Sequence, residues 1–129
     1  MPTRRPPGPL VLLADDNDDN RDLYRQYLIH HGMRVAEATD GHEALDAAGR
    51  LVPDVIVMDI SMPGMDGLEA TRRLKADTTT AAIPIAVITG HALDSTRRDA
   101  EAAGCDAYLT KPVLPATLIA CIKKLLDQR

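Results

Sequence analysis

Val55-Ile56-Val57-Met58-Asp59-Ile60-Ser61-Met62-Pro63-Gly64-Met65-Asp66-Gly67 decides the fold of this chain. Residues 55–58 are an unbroken apolar run, short for a helix and free of polar alternation, which suits a strand buried on both faces. Pro63-Gly64 and Asp66-Gly67 then turn the chain, and Asp66 is placed to cap a helix over 66–76. A carboxylate at the C-terminal end of such a strand, here Asp59, lies where open α/β sheets gather their chemistry.

The same strand–turn–helix unit recurs in both directions. Residues 10–14, 34–38, 55–58, 83–88 and 106–109 read as strands, and 18–31, 41–51, 66–76, 93–103 and 115–128 as helices. Asp40 can cap the second helix, with Glu43 at capping-box spacing. Pro115 fits the first turn of the last helix, whose Leu118, Ile119, Ile122, Leu125 and Leu126 form an apolar face. Strict alternation predicts a parallel sheet with right-handed crossovers and helices on both faces. Residues 1–9, with four prolines and two arginines, predict a flexible leader to one domain over 10–129.

The bulk numbers exclude several functions. A chain of 129 residues, 45% hydrophobic, supports a single core. Its net charge is −4 and its basic residues are scattered in pairs such as Arg72-Arg73 and Lys123-Lys124, so no nucleic-acid footprint is expected. Cys105 and Cys121 have no metal-ligand spacing and predict buried free thiols in a reducing compartment. The apolar run after Arg4-Arg5 ends at Ala14, too short for an export signal or a membrane span. A soluble, cytoplasmic protein is the expectation.

Chemistry concentrates at the strand ends. Asp15 and Asp16 follow the first strand, Asp59 the third, Thr89 the fourth and Lys111-Pro112 the fifth, so all converge on one edge of a parallel sheet. Three carboxylates there would repel one another and raise their own pKa values unless a cation were present, which points to Mg²⁺. An EF-hand loop starting at Asp15 fails, because Asn20 replaces the required glycine and Gln26 the bidentate glutamate. Singly, these residues would read as a solvated turn, a loop acid, a strand-end hydroxyl and a surface charge. His30, His31 and His42 read as surface histidines, and Met62 and Met65 as packing.

This ordered set, with the loop from Asp59 to Asp66-Gly67, resembles the receiver domain of two-component response regulators and is similar to single-domain chemotaxis-type regulators, from about Leu10 to the end. The resemblance implies a flavodoxin-like doubly wound (βα)5 fold with strand order 2-1-3-4-5. It implies that Asp59 accepts a phosphoryl group from a histidine kinase or histidine phosphotransfer protein. Mg²⁺ would be held mainly by Asp16 and Asp59, with Asp15 acting largely through water and the Ile60 carbonyl as a further ligand. Lys111 and Thr89 would contact phosphoryl oxygens, and Tyr108 would be the switch aromatic. Pro112 would form a cis bond after Lys111, and Ser61 and His91 would tune the lifetime of the phosphoryl group.

A partner-binding switch on the face of helix 4, strand 5 and helix 5 is therefore expected, with an unknown downstream protein or a homodimer as its output. A phosphorelay intermediate and a receiver segment of a hybrid kinase or longer regulator are the alternatives; the length, which leaves no room for an output domain, favours a stand-alone regulator. A haloacid dehalogenase-type phosphatase would need a second acid where Ser61 stands. A flavodoxin-like electron carrier would find its flavin phosphate repelled by Asp15 to Asp19.

Overall fold

A computed structural model describes residues 8–90 and 93–129. Five strands alternate with five helices: β1 (Leu10–Ala14), α1 (Asp18–His30), β2 (Arg34–Ala38), α2 (Gly41–Leu51), β3 (Val55–Asp59), α3 (Gly67–Ala76), β4 (Ile85–Thr89), α4 (Asp94–Ala103), β5 (Ala107–Thr110) and α5 (Pro115–Gln128). The strands form one parallel sheet in the order β2-β1-β3-β4-β5, the flavodoxin-like order expected. Residues 1–7 of the expected leader, and His91, lie outside the described residues.

Alternation along each strand sends side chains to two cores. Leu12, Ile56, Met58, Ile85 and Val87 face α2, α3 and α4 across a bed of alanines, Ala44, Ala47, Ala48, Ala70 and Ala100. Val11, Leu13, Val55, Val57 and Ile88 meet Tyr24 and Leu28 of α1 and Leu118, Ile119, Ile122 and Leu125 of α5. Every residue of β3 and β4 is buried, as strands covered on both faces must be. Met62 and Met65 are buried in the first of these cores, as packing residues.

The helix starts follow side-chain chemistry. Asp40 Oδ1 accepts from Glu43 N at 2.8 Å, and Asp66 Oδ1 from Glu69 N at 2.9 Å. Glu43 reaches past the cap residue and accepts from Thr39 N and Oγ1, both at 2.7 Å, rather than from Asp40. Asn17 caps α1 by accepting from Asn20 N. β4 starts two residues later than expected because Pro84 has no N–H, while the Ile83 carbonyl accepts from Lys75 Nζ at 2.7 Å. Asp106, expected to open the fifth strand, instead uses Oδ2 to accept from Ile85 N.

Val52 closes α2 at φ 45° and ψ 66°, the left-handed region in which a β-branched side chain is strained. The cysteines are free and only partly buried, and burial pushes both thiols up in pKa. No helix among the described residues is long and apolar enough to cross a membrane.

Candidate functional site

The parallel sheet delivers the C-terminal ends of β1, β3, β4 and β5 to one edge. Asp59 is the last residue of β3 and is 2% exposed. Its two oxygens have different partners: Oδ2 accepts from Lys111 Nζ at 2.7 Å and Oδ1 from Ser61 N at 2.9 Å. Asp15 is buried, Asp16 is exposed, and one oxygen from each of Asp15, Asp16 and Asp59 lies within 4.8 Å of the others.

Burial is the largest influence on Asp15 and raises its carboxyl above the usual range. The hydrogen bond from Asn17 N and the charge of Lys111 oppose the rise, whereas the charge of Asp59 adds to it. For Lys111, burial works against the ammonium, but the bond to Asp59 and the charges of Asp59 and Asp15 outweigh it and raise its pKa. Two buried acids, one open acid and one cation thus leave an excess of negative charge around an oxygen-lined point. Such a donor set suits a hard cation.

Thr89 ends β4 fully buried, and its carbonyl accepts from Lys111 N at 2.7 Å, so the strand-end threonine and lysine share a backbone bond. The Lys111-Pro112 peptide is cis. Tyr108 is half-buried on β5 with the Arg97 guanidinium carbon 5.6 Å from its ring centroid. Ser61 is exposed. The Ile60 carbonyl, expected to face a metal, accepts from Met62 N at 3.1 Å and Gly67 N at 3.0 Å.

Two residues near the site, Tyr24 and Arg21, were not singled out by sequence, and the part played by a third, Gly67, was only partly legible. Tyr24 donates its hydroxyl to the Val113 carbonyl at 3.1 Å, tying α1 to the segment after Lys111-Pro112. Burial, reinforced by the nearby acids, raises the Tyr24 pKa, with Lys111 opposing. Arg21 donates to the Asp15 carbonyl at 2.7 Å. Gly67 was legible as a turn, but its larger role is steric. A Cβ there would stand 2.1 Å from the Asp59 carbonyl oxygen and 2.9 Å from Ile60 Cα.

A doubly wound parallel sheet with this acid-lined edge defines a signalling receiver, and the sequence agrees: residues 11–123 match the family of the response regulator receiver domain, to which the chain belongs. It is 35% identical over 116 residues to the polar-differentiation response regulator DivK of Brucella anthropi, covering 90% of this chain and 94% of that one. The chemotaxis protein CheY4 of Vibrio cholerae superposes with a TM-score of 0.87 at 30% identity, over 92% of this chain and 98% of that one. The receiver domain of a sensor histidine kinase from Pseudomonas aeruginosa PAO1 superposes with a TM-score of 0.86 at 33% identity, over 93% and 98%. That structure has a magnesium ion coordinated in its active-site cleft. The family is one of signalling proteins.

Proposed function

We propose that Asp59 accepts a phosphoryl group from a phosphohistidine of a histidine kinase or histidine phosphotransfer protein. An Asp59 oxygen forms the new O–P bond as the N–P bond of the donor breaks and its electron pair returns to the imidazole. The observation carrying this reading is the setting of Asp59: a nearly buried carboxylate at the strand end, paired with Lys111 and within reach of two further acids.

The residues present fit Mg²⁺, held mainly by Asp16 and Asp59, with Asp15 acting largely through water. When bound, the ion offsets the repulsion between these acids and an incoming phosphoryl group. The Ile60 carbonyl, the further ligand the resemblance implies, is engaged by two backbone N–H groups, from Met62 and Gly67. Lys111 supplies a second positive charge to the phosphoryl oxygens once Asp59 carries the acyl phosphate.

The Thr89 hydroxyl donates to a phosphoryl oxygen that exists only in the modified state, which is the differential interaction a switch requires. Its movement draws the segment after β4 toward the site and lets Tyr108 reposition. Ser61, small and exposed, leaves a path for the water that hydrolyses the acyl phosphate; His91 is the second tuning position. The readout face is α4, β5 and α5, where Leu93 and Leu114 stand exposed for a downstream protein or a second copy. A cytoplasmic location fits this reading.

Incubation with acetyl phosphate, with and without Mg²⁺, followed by intact mass and peptide mapping, tests the reading. One alkali-labile phosphoryl group on Asp59, dependent on Mg²⁺ and absent from Asp59→Asn, is expected. Retained modification in Asp59→Asn would move the acceptor elsewhere.

A further inference from the structure

Arg21 lies in the first turns of α1, bonded to the Asp15 carbonyl at the edge of the candidate site, and its side chain is only 12% exposed. Its fork reaches three elements at once. Nη1 donates to the Asp15 carbonyl at 2.7 Å, Nη2 pairs with Asp18 on α1, and Nε donates to Glu37 Oε1 of β2 at 3.3 Å. Glu37 is itself held by Arg25, whose Nη1 lies 3.3 Å from each carboxylate oxygen.

The Asp15 carbonyl belongs to the peptide plane between Asp15 and Asp16. On the other side of Asp15, its N–H donates to the Ala38 carbonyl at 3.0 Å, and its Oδ1 accepts from Asn17 N at 2.8 Å. Besides the side-chain torsions of the exposed Asp16 itself, rotation of the Asp15–Asp16 plane is the backbone freedom that would swing its carboxylate away from Asp59, and Arg21 holds that plane.

We infer that Arg21 is a positioning residue for the metal-binding acids, orienting Asp16 toward Asp15 and Asp59 through the Asp15 carbonyl; this rests on the proposed Mg²⁺ site. Outer-shell partners of this kind change metal affinity by roughly 10–100-fold when removed. The sign separates this role from a simple charge effect. A cation near a cation site repels the metal, so losing Arg21 as a charge would tighten Mg²⁺ binding, whereas losing it as a clamp weakens binding.

The test is Mg²⁺ titration by calorimetry of wild type, Arg21→Ala and Arg21→Lys, each checked for folding by circular dichroism. Lysine keeps the charge but cannot fill the three-way fork. The inference expects both variants to bind Mg²⁺ more weakly, alanine by about tenfold or more. Should alanine disrupt folding, lysine alone decides. Unchanged or tighter binding in alanine, or wild-type affinity in lysine, overturns the clamp while leaving the metal site standing. A wild-type protein that binds no Mg²⁺ overturns both.

Discussion

Lys111 Nζ stands 2.7 Å from Asp59 Oδ2, joining residues 52 positions apart in sequence; the lysine side chain is 31% exposed and the aspartate 2%. The lysine therefore meets the carboxylate from the solvent side while its own stem is partly covered. Replacement Lys111→Gln removes the charge offered to the phosphoryl oxygens at nearly constant volume. Phosphoryl uptake from acetyl phosphate should slow by about 100-fold at saturating Mg²⁺, as when a preorganised charge-stabilising donor is lost. A time course by intact mass measures this, and a rate near wild type would remove Lys111 from the chemistry.

Gly67→Ala should damage both stability and phosphorylation. The new methyl would press on the Asp59 carbonyl oxygen, the Asp59 carbonyl carbon and Ile60 Cα, all backbone, so no flexible side chain can yield. Overpacking of this kind costs about 1–3 kcal/mol. Thermal melts and the acetyl phosphate assay report the two effects, and an unchanged melting temperature would show that the loop gives way freely.

Val52→Gly should stabilise the protein. Val52 is 52% exposed, sits at φ 45° and precedes Pro53, which disfavours helical conformations in the residue before it. Relief of a left-handed β-branched residue is worth about 1 kcal/mol after the greater freedom of unfolded glycine is deducted, or about 4 °C in Tm. A melt lower than wild type would contradict the assignment of strain.

Asp54→Asn should lower stability at neutral pH and matter less in acid. The hydrogen bond from Leu10 N at 2.7 Å, assisted by Arg129, depresses the Asp54 carboxyl pKa against the opposing effect of burial. A depressed folded pKa means stability that is present above the unfolded value of about 4 and lost as pH falls through the folded value. Asp54 is one-third exposed, which limits the loss to about 1 kcal/mol at pH 7. Urea unfolding of both proteins at pH 7 and pH 3 should show the gap closing; a gap that persists at pH 3 would rule out the charge as its source.

Local patterns carried most of the fold. The unbroken run before Asp59, the caps at Asp40 and Asp66 and the Pro115 helix start all depend on neighbours within a few residues, so composition and spacing reveal them. Residue types at four strand ends carried the resemblance to the receiver family, and the sheet order came with that resemblance. What escaped depends on contacts distant in sequence or on exact backbone paths. Tyr24 is bound to a carbonyl 89 positions away, and only its place on the buried face of α1 hinted at it. Arg21 resembled one surface charge among many until β2 brought Glu37 beside it. The closeness of Gly67 to Asp59 is a packing fact, for which a turn signal gives direction but no distance.

The unequal cores also shape how this sequence can change. Among the described residues, the side beneath α2, α3 and α4 includes seven buried alanines, whereas the opposite side includes one, Ala86. Where alanine methyls separate helix from sheet, an added carbon has no rotamer through which to escape. Ala44, Ala70 and Ala100 can therefore drift only when a facing residue shrinks in the same lineage, while the leucines and isoleucines under α1 and α5 can exchange shapes among themselves. Divergent relatives should show coupled substitutions on the first side and independent ones on the second.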